Sequence, residues 1–376
     1  MIKLKLKANF DESGDPFVVK LCSKDRNLLV ETPKEDIAIY KDEINFLSVD
    51  SSRGKFQIFV ENKDDYHGDV ILCIPEGKRI QRIYRANSIN NTFLFTERCD
   101  QMCAMCSQPP RSSIDRWRFP HFQKAIELAD PESTIGISGG EPTLYKQELF
   151  DILKNTADKR PDIKLHILSN GQHFLDEDIE ILQSINDDLH VLWGIPLYSF
   201  DKKNHDEIVG KEGAFKKVME NLFKIGSAGT AIELRTVLTK KNALDLPELA
   251  NFVSKHLSFI NKWVIMAMEP IGFAKANKDA LFYDHSIARF PLHNALDIAA
   301  LNGLKVQLYN FPLCTVDEKY RKYCTQSISD WKRKYVDECS TCEMQDSCCG
   351  FFEWYTENWK WLKINPIKEN IENELV

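Results

Sequence analysis

Six strand–helix pairs follow one another from about Asn90, and this alternation constrains the fold more than any other feature of the sequence. Strands joined through helices run parallel, so the alternation predicts a parallel sheet or barrel. Six pairs are fewer than the eight of a closed barrel. We therefore predict an α/β fold with a partial (β/α)6 TIM-type barrel, open enough for a sizeable substrate. The strand segments are NTFLFTE, TIGISGG, KLHILSNG, DLHVLWGIPLYS, IELRTVLTK and NKWVIMAMEP.

The predicted barrel covers residues 89–303 and is flanked by two segments of different character. Residues 1–88 contain short alternating apolar runs separated by turn residues, which predicts a β-rich N-terminal module. Residues 304–376 begin with one more strand-like run, lose periodicity and become rich in cysteine. A chain of 376 residues with 43% hydrophobic content has enough apolar residues for the core of one large domain and for such appendages.

Composition argues against several classes of partner. The chain has 49 Lys and Arg against 56 Asp and Glu. The resulting net charge of −7 does not indicate a basic surface that would bind the phosphates of nucleic acid. The first ten residues, MIKLKLKANF, lack the apolar core of a signal peptide. No apolar run approaches the ~20 residues of a spanning helix. We predict a soluble cytoplasmic protein without nucleic-acid or membrane partners.

Nine of the eleven cysteines fall into two groups, within residues 99–106 and 314–349. The other two, Cys22 and Cys73, stand alone in strand-like runs and are predicted to be small buried hydrophobes. Clustered cysteines in a reducing compartment indicate metal or redox chemistry rather than disulfides. The two groups are therefore candidate metal sites.

The first group, Cys99, Cys103 and Cys106, has the spacing C-x3-C-x2-C and directly follows the first barrel strand. Loops at the C-terminal ends of barrel strands carry the reactive groups of such folds. Three thiolates on one tight loop can hold three irons of a cubane cluster and leave the fourth iron open to a small molecule. A structural zinc site needs four protein ligands. Three merely structural cysteines are the alternative.

Further candidates lie at the ends of the next two strands. The second strand ends in Gly139, Gly140 and Glu141, where glycines let a ligand lie against the backbone and an exposed carboxylate can bind an ammonium group. The third strand ends in Ser169 and Asn170, small polar residues suited to ribose hydroxyls. Taken singly, either segment is also compatible with an ordinary turn.

Two charged residues occupy the fifth and sixth strands. Arg235 could bind a carboxylate through two of its guanidinium nitrogens, but a structural ion pair inside the barrel is an equal alternative. Glu269, at the end of the sixth strand, has the same ambiguity. The signal becomes specific only because candidates occur at successive strand ends.

The C-x3-C-x2-C motif, GGEP and SNG, in this order, resemble the radical S-adenosylmethionine (SAM) superfamily over residues 90–285. The resemblance implies a [4Fe-4S] cluster whose open iron binds SAM, and an electron from a reductant such as flavodoxin or ferredoxin. Reductive cleavage would yield a 5′-deoxyadenosyl radical that removes a substrate hydrogen. The residues so implied are Cys99, Cys103 and Cys106 for the cluster, and Gly139, Gly140, Glu141, Ser169, Asn170, Arg235 and Glu269 for SAM.

A narrower set of strings, including CSQPP, GIPLYS and MEPIGFAKAN, resembles the His-Xaa-Ser system radical SAM maturases over most of residues 85–352. Members of this family are proposed to modify ribosomally made peptides. Two departures stand out: Met105 stands where the superfamily often has an aromatic residue before the last cysteine, and Cys349-Gly350 stands where the narrower family tends to have Gly-Gly. The first 80 residues carry no such resemblance.

The second cysteine group resembles the SPASM and twitch extensions of peptide-modifying radical enzymes. Cys339, Cys342 and Cys348 match the compact end of these extensions, and Cys314 would be the fourth ligand. Cys324 and Cys349 would be spare, although Cys349 could substitute for Cys348. The resemblance implies an auxiliary [4Fe-4S] cluster. A structural zinc site remains the alternative, because four thiolates suit both metals.

Three functions follow from these features. The leading hypothesis is a radical SAM peptide maturase acting on a peptide or small protein. The second is a radical SAM enzyme acting on a small molecule or nucleoside, with zinc in the tail. The third is a cluster-bearing binding protein without radical chemistry, against which the intact cysteine motif and Glu141 argue.

Overall fold

The computed structural model groups the chain into two compact units, each described here by itself. The first unit comprises residues 1–98, 112–168 and 180–192, and the second comprises 99–111, 169–179 and 193–376. Residues 2–29, 31–60, 64–355 and 361–368 are described. The predicted boundaries at 88 and 303 stay predictions, and parts of the predicted end domains lie outside the described residues: 1, 30, 61–63, 356–360 and 369–376.

A closed seven-stranded barrel forms the N-terminal part of the first unit, with strand order β1-β5-β4-β3-β2-β6-β7. Strands β2 and β3 are parallel, and the other neighbouring pairs are antiparallel. The β-rich module of the sequence prediction is thus observed, with β4 as an unpredicted strand. The strands are β1 (Lys5–Phe10), β2 (Phe17–Ser23), β3 (Ile37–Asp42), β4 (Phe46–Ser51), β5 (Gly54–Phe59), β6 (Val70–Ile74) and β7 (Arg79–Tyr84).

The first unit continues into strand–helix repeats. Strand β9 pairs in parallel with β8 on one side and β10 on the other, with Ile137 opposite Phe93 and Ile167 in the two registers. All three side chains are buried, so the sheet is apolar at its centre. The elements are β8 (Asn91–Thr96), α1 (Phe119–Leu128), β9 (Thr134–Gly139), α2 (Lys146–Lys159), β10 (Lys164–Leu168) and α3 (Asp178–Asp188), whose first two residues lie in the second unit.

A buried lysine ties the N-terminal barrel to α1 within the first unit. Lys20 on β2 is fully buried, and its Nζ donates to Asp130 Oδ1 at 2.6 Å and to the Leu128 carbonyl at 2.8 Å. Burial lowers the pKa of Lys20, whereas the hydrogen bond to Asp130 raises it. Because a buried charge needs its partner, this pair fixes where the barrel meets the end of α1.

The second unit completes the repeats. Strands β12 to β15 pair in parallel in chain order, and β11 neighbours β12. Six successive strand–helix repeats and an α/β fold with parallel strands are therefore confirmed, whereas α4 was not predicted. The elements are β11 (Val191–Pro196), α4 (Lys202–Val209), α5 (Ala214–Ser227), β12 (Ala231–Leu238), α6 (Leu246–His256), β13 (Lys262–Ala267), α7 (Gly272–Ala276), α8 (Lys278–Leu281), α9 (Phe290–Leu301) and β14 (Val306–Tyr309).

The cysteine-rich extension consists of short 3-10 turns and two-residue strands, as its lack of periodicity predicted. Strand β15 (Cys324–Thr325) joins the edge of the parallel sheet beside β14, while β16 (Arg333–Lys334) pairs with β17 (Phe351–Phe352) in a small antiparallel ribbon. Within the part of the chain that is described, no helix is long and apolar enough to cross a membrane.

His205 on α4 gives the second unit a pH-dependent stability. The ring is buried between Tyr198 and Phe215, and its Nδ1 accepts the Tyr198 amide at 3.3 Å. Burial lowers the pKa of His205 to about 4. In the unfolded chain His205 binds a proton near pH 6.5, whereas in the folded chain it does not. Above that pH the stabilising contribution of the neutral ring is therefore fully present, and the free energy of unfolding falls as the pH drops toward 4.

Between pH 7 and pH 5, His205 should cost the wild-type protein about 2 kcal/mol of its free energy of unfolding. We predict that this part of the pH dependence is absent in His205→Gln. Denaturant titrations at both pH values measure this difference. The matched control is His190→Gln, because His190 is exposed. An unchanged pH dependence in the His205 variant would contradict the prediction.

Candidate functional site

The loop that carries Cys99, Cys103 and Cys106, here called the cysteine loop (residues 99–106), is held by main-chain hydrogen bonds to α4 in the second unit. The Met102 amide donates to the Val209 carbonyl at 3.1 Å, and the Ala104 amide donates to the Ile208 carbonyl at 2.9 Å. The last carbonyls of a helix have no partner within it. The loop therefore supplies the partners that the end of α4 requires.

Gly210 makes this contact possible. It ends α4 with a φ of +66°, in the left-handed region, and a Cβ at this position would lie 2.7 Å from the Met102 carbonyl oxygen. Only glycine can both adopt this conformation without strain and leave room for the loop. Neither requirement is visible in the sequence.

Helix α7 and Asn277, the residue that follows it, hold the other side of the cysteine loop. The Phe273 amide donates to the Cys106 carbonyl at 2.8 Å, and Asn277 Nδ2 donates to the Ala104 carbonyl at 2.9 Å. Gly272, with a φ of +58°, would bring a Cβ within 2.7 Å of the Cys106 carbonyl oxygen. Hydrogen bonds from two different helices thus fix the backbone that bears the three thiols.

None of the three cysteines of the cysteine loop forms a disulfide, and each residue is half-buried. Burial raises the pKa of Cys103 to about 12, and the nearby Cys106 and Cys99 add to this effect. Burial also raises the pKa of Cys106. Three adjacent thiolates repel one another unless a cation compensates them, and binding of metal releases their protons. This donor set fits an iron–sulfur cluster with three cysteine ligands.

Among the described residues, no three His, Cys, Asp or Glu side chains form a group that could hold a single metal ion. In a cubane cluster each cysteine binds a different iron, so three ligands of one cluster need not converge on one point. The assignment of Cys99, Cys103 and Cys106 to a cluster therefore rests on their spacing and environment, and it stays a prediction.

Asp100, which the sequence analysis did not single out, is the main charged anchor of the cysteine loop. Its carboxylate accepts hydrogen bonds from Asn170 Nδ2 at 2.8 Å, His173 Nε2 at 3.1 Å and Lys211 Nζ. Although burial acts to raise it, the hydrogen bonds from His173 and Lys211 hold the pKa of Asp100 below its usual range. The position directly after Cys99 was the one signal available.

The Gly-Gly-Glu turn lies in the first unit, at the end of β9. The Gly140 amide donates to the Thr96 carbonyl and the Glu141 amide to the Arg98 carbonyl, both at 2.7 Å. A Cβ on either glycine would overlap these carbonyl oxygens, and Gly139 has a φ of +131°. Here the glycines bring the turn against the backbone that follows β8.

Glu141 differs from the sequence expectation. Its side chain is buried rather than exposed, and Oε1 accepts from the Thr143 amide at 2.9 Å and from the Thr143 hydroxyl at 2.5 Å. The carboxylate caps the 3-10 turn Pro142–Tyr145. The expectation of an exposed carboxylate was wrong because the chain turns inward directly after the glycines to start this turn.

Ser169 and Asn170, at the end of β10, are buried and take part in local hydrogen bonds. Ser169 Oγ accepts the Gly171 amide at 3.1 Å. The side-chain nitrogen of Asn170 donates to Asp100, so within the second unit Asn170 contacts the cysteine loop. A contact of either residue with ribose stays a prediction.

Arg235 forms the ion pair that the sequence analysis gave as the alternative. Its guanidinium pairs with Glu233 on the same strand, β12, and Nη2 lies 3.1 Å from Met266 Sδ. Glu233 also binds Lys262 at 2.9 Å. The arginine is therefore engaged within the sheet, and its predicted contact with SAM has no support from this geometry.

Glu269 pairs with Lys332 of the cysteine-rich extension at 3.2 Å. Burial raises the pKa of Glu269, while Lys332 lowers it. The Lys332 ammonium also lies 5.1 Å from the Phe352 ring centroid. The pair thus connects the end of β13 to the extension, a link that sequence spacing cannot show.

Four cysteines of the extension line one cavity in the second unit: Cys314, Cys339, Cys342 and Cys348. These are the four predicted ligands, and neither Cys324 nor Cys349 is part of this wall. Burial raises the pKa of Cys314 to about 11, with Cys348, Cys339 and Cys342 adding to the effect. The structure brings the predicted set together, and its metal stays a prediction.

Cys348 has the environment of a stabilised thiolate. A hydrogen bond from Cys349 lowers the pKa of Cys348 to about 6, against the effect of burial. The amides of Leu313 and Gly350 also donate to its sulfur, each at 3.4 Å. Cys349 therefore lies beside Cys348 and favours its thiolate form, and its place as a spare or substitute ligand stays a prediction.

Comparison with known proteins assigns the class. Residues 93–253 match the family model of the Radical SAM superfamily. The chain therefore contains a radical SAM domain, which confirms the resemblance inferred from its motifs.

Individual relatives align with this chain over only part of their own length. The tungsten-containing aldehyde ferredoxin oxidoreductase cofactor-modifying protein of Pyrococcus furiosus is 26% identical over 59% of this chain and 62% of its own. The sporulation killing factor maturation protein SkfB of Bacillus subtilis is 24% identical over 46% and 41%, respectively. The chain thus spans less than two thirds of either relative.

Among solved structures, Streptococcus suis SuiB bound to S-adenosylmethionine aligns with a TM-score of 0.49 and 18% identity. The alignment covers 60% of this chain and 51% of SuiB.

We predict that Gly210→Ala loosens the cysteine loop, because a Cβ there contacts the Met102 carbonyl. The cluster of the anaerobically reconstituted variant should be lost to a chelator about tenfold faster than that of the wild type. Decay of the visible absorbance measures this rate.

Gly213→Ala is the matched control. Gly213 has a φ of +76°, but a Cβ there meets no atom within 4 Å. Both variants carry a backbone strain of about 1 kcal/mol, so only the contact with the loop distinguishes them. Equal rates of cluster loss in the two variants would refute the role assigned to Gly210.

Proposed function

We propose that this protein is a radical SAM enzyme that modifies a ribosomally made peptide or small protein. One observation carries the proposal: three cysteines with C-x3-C-x2-C spacing lie on a loop whose backbone is fixed by α4 and α7. A rigid loop with only three thiols suits a cluster that keeps one iron open for a small ligand.

Cys99, Cys103 and Cys106 would hold this cluster, and Asp100 would set the position of the loop through Asn170, His173 and Lys211. When bound, a [4Fe-4S] cluster would supply one electron, received from an external reductant, for the cleavage of SAM to methionine and a 5′-deoxyadenosyl radical that would take a hydrogen atom from the substrate. Flavodoxin or ferredoxin would serve as the reductant.

The Gly139–Glu141 turn is proposed to contact the methionine amino group of SAM. Its backbone is positioned by the carbonyls of Thr96 and Arg98. The buried Glu141 side chain would act by fixing this turn through Thr143, since its Oε1 already accepts two hydrogen bonds there. Ser169 and Asn170 are proposed to lie near the ribose.

The extension is proposed to hold an auxiliary [4Fe-4S] cluster through Cys314, Cys339, Cys342 and Cys348. The shared cavity of these four thiols supports this assignment. The amide donors to Cys348 stabilise a thiolate in either kind of site. Zinc is the alternative metal, but these four thiols, all among the described residues, form no group that could hold a single ion, which favours the cluster.

The name of the relative SkfB, a killing-factor maturation protein, supports a peptide substrate. The Pyrococcus furiosus relative favours the other candidate function, because its name assigns it to cofactor modification. An enzyme acting on a small molecule or nucleoside therefore remains the second candidate.

We predict that Cys103→Ala lowers 5′-deoxyadenosine formation from SAM more than about 100-fold, because a cluster ligand is lost. The assay uses anaerobically reconstituted protein and a chemical reductant, with chromatographic detection. Cys22→Ala, which removes a half-buried thiol on β2, is the control and should keep wild-type activity. Undiminished cleavage by the Cys103 variant would refute the proposed function.

For Cys342→Ala we predict loss of peptide modification with partial retention of uncoupled SAM cleavage, since only the auxiliary site is damaged. Cys324→Ala is matched to it, because Cys324 is a half-buried cysteine of the same extension outside the shared cavity. Mass spectrometry of the peptide and 5′-deoxyadenosine yield give the two readouts. Unaffected modification by the Cys342 variant would show that the auxiliary site is only structural.

A further inference from the structure

A second cavity in the second unit, here called the aliphatic pocket, lies beyond the C-terminal ends of the parallel strands. Leu238 ends β12 and Ala267 ends β13, and both line it, together with Met268. Phe351 and Phe352 of the extension also line it. Since substrates of barrel folds bind at the C-terminal ends of strands, this pocket lies where a substrate is expected.

The aliphatic pocket offers little to a polar ligand. Four polar side chains of its wall already have hydrogen bonds within the chain. They are Tyr283, whose hydroxyl donates to the Ala288 carbonyl at 2.7 Å; His285, with Nε2 3.1 Å from Thr315 Oγ1; Asn310, whose Nδ2 donates to the Ala267 carbonyl at 3.3 Å; and Tyr355, whose hydroxyl accepts the Leu362 amide at 3.4 Å. A charged or amide group placed here would lose water without gaining a ready partner.

The walls of the pocket connect it to both cysteine groups. Met268 and Phe282, which line the pocket, belong to the same apolar cluster as Met105. Cys103 of the cysteine loop packs against this cluster. On the other side, Pro312 and Phe351 line both the aliphatic pocket and the cavity of the four extension cysteines. A group bound in the pocket would therefore lie in contact with walls shared with each proposed cluster site.

The size of the pocket limits its occupant. Its cavity volume is about 40 Å³. One water needs about 10–15 Å³ of such space, so there is room for roughly three groups of that size. An isopropyl or isobutyl group matches this volume, whereas an aromatic ring would require the walls to move.

We propose that the aliphatic pocket receives a branched aliphatic side chain, valine, leucine or isoleucine, of the peptide substrate. This inference rests on the proposed peptide-modifying function and names a residue class that the substrate must contain. The pocket acts in specificity, by holding one side chain of the peptide beside the reacting residue.

The test measures binding of four blocked amino acids to the anaerobically reconstituted full-length protein by calorimetry. N-acetyl-leucinamide should bind at least about tenfold more tightly than N-acetyl-glycinamide or N-acetyl-lysinamide, because only its side chain fills the pocket. N-acetyl-phenylalaninamide should bind more weakly than the leucine compound.

Two variants change the volume of the pocket in opposite directions. Ala267→Leu fills it and should abolish the preference for leucinamide, whereas Ala300→Leu, on the exposed side of α9, should not. Leu238→Ala enlarges the pocket and should shift the preference toward phenylalaninamide. Because this is a gain of binding, a misfolded variant cannot produce it.

The formation of 5′-deoxyadenosine without peptide is measured in parallel for the wild type and for the control Ala300→Leu, which should stay within about twofold of wild type, since Ala300 lies outside the pocket and outside the proposed cluster ligands. Wild-type protein that cleaves SAM but binds the four compounds equally would overturn the pocket assignment alone. Wild-type protein that cleaves no SAM would overturn the proposed function, and with it the role of the pocket in a substrate complex.

Discussion

The structure depends on one constraint: the backbone of the cysteine loop is fixed by hydrogen bonds from two helices that follow it far along the chain. The end of α4 accepts the amides of Met102 and Ala104, and the start of α7 binds the carbonyl of Cys106. Main-chain bonds of this kind do not depend on the thiols themselves. The loop can therefore keep its shape whether or not the cysteines carry a metal, which is how a binding site is preorganised.

Charge is arranged around the two cysteine groups in different ways. The cysteine loop has a single carboxylate, Asp100, and this is neutralised by Lys211 and hydrogen-bonded by His173 and Asn170. In the extension, amide and thiol donors surround Cys348 instead. The donors to Cys348 limit the cost of burying its thiolate, whereas burial, the neighbouring thiols and Asp100 all raise the pKa of Cys103. The ion pair of Glu269 with Lys332 then joins the strand ends to the extension.

Local patterns in the sequence predicted the strand–helix repeats, because each repeat has its own periodicity. They did not predict β4, whose exposed Ser48 and Asp50 make it look like turn, or α4, whose polar surface hides its helical period. Contacts between residues far apart in the chain were also beyond reach. The roles of Gly210 and Lys332, and the burial of Glu141, depend on which segments fold against each other, and spacing along one sequence does not encode this directly.

The central claim is that the cysteine loop holds a cluster separate from the site in the extension. Iron, sulfide and zinc content of anaerobically reconstituted wild-type protein and of Cys103→Ala tests it most directly. The account predicts about eight irons per chain in the wild type, and about four in the variant, because one cubane is lost. If the Cys103 variant kept the full iron and sulfide content of the wild type, the cysteine loop would not be the cluster site.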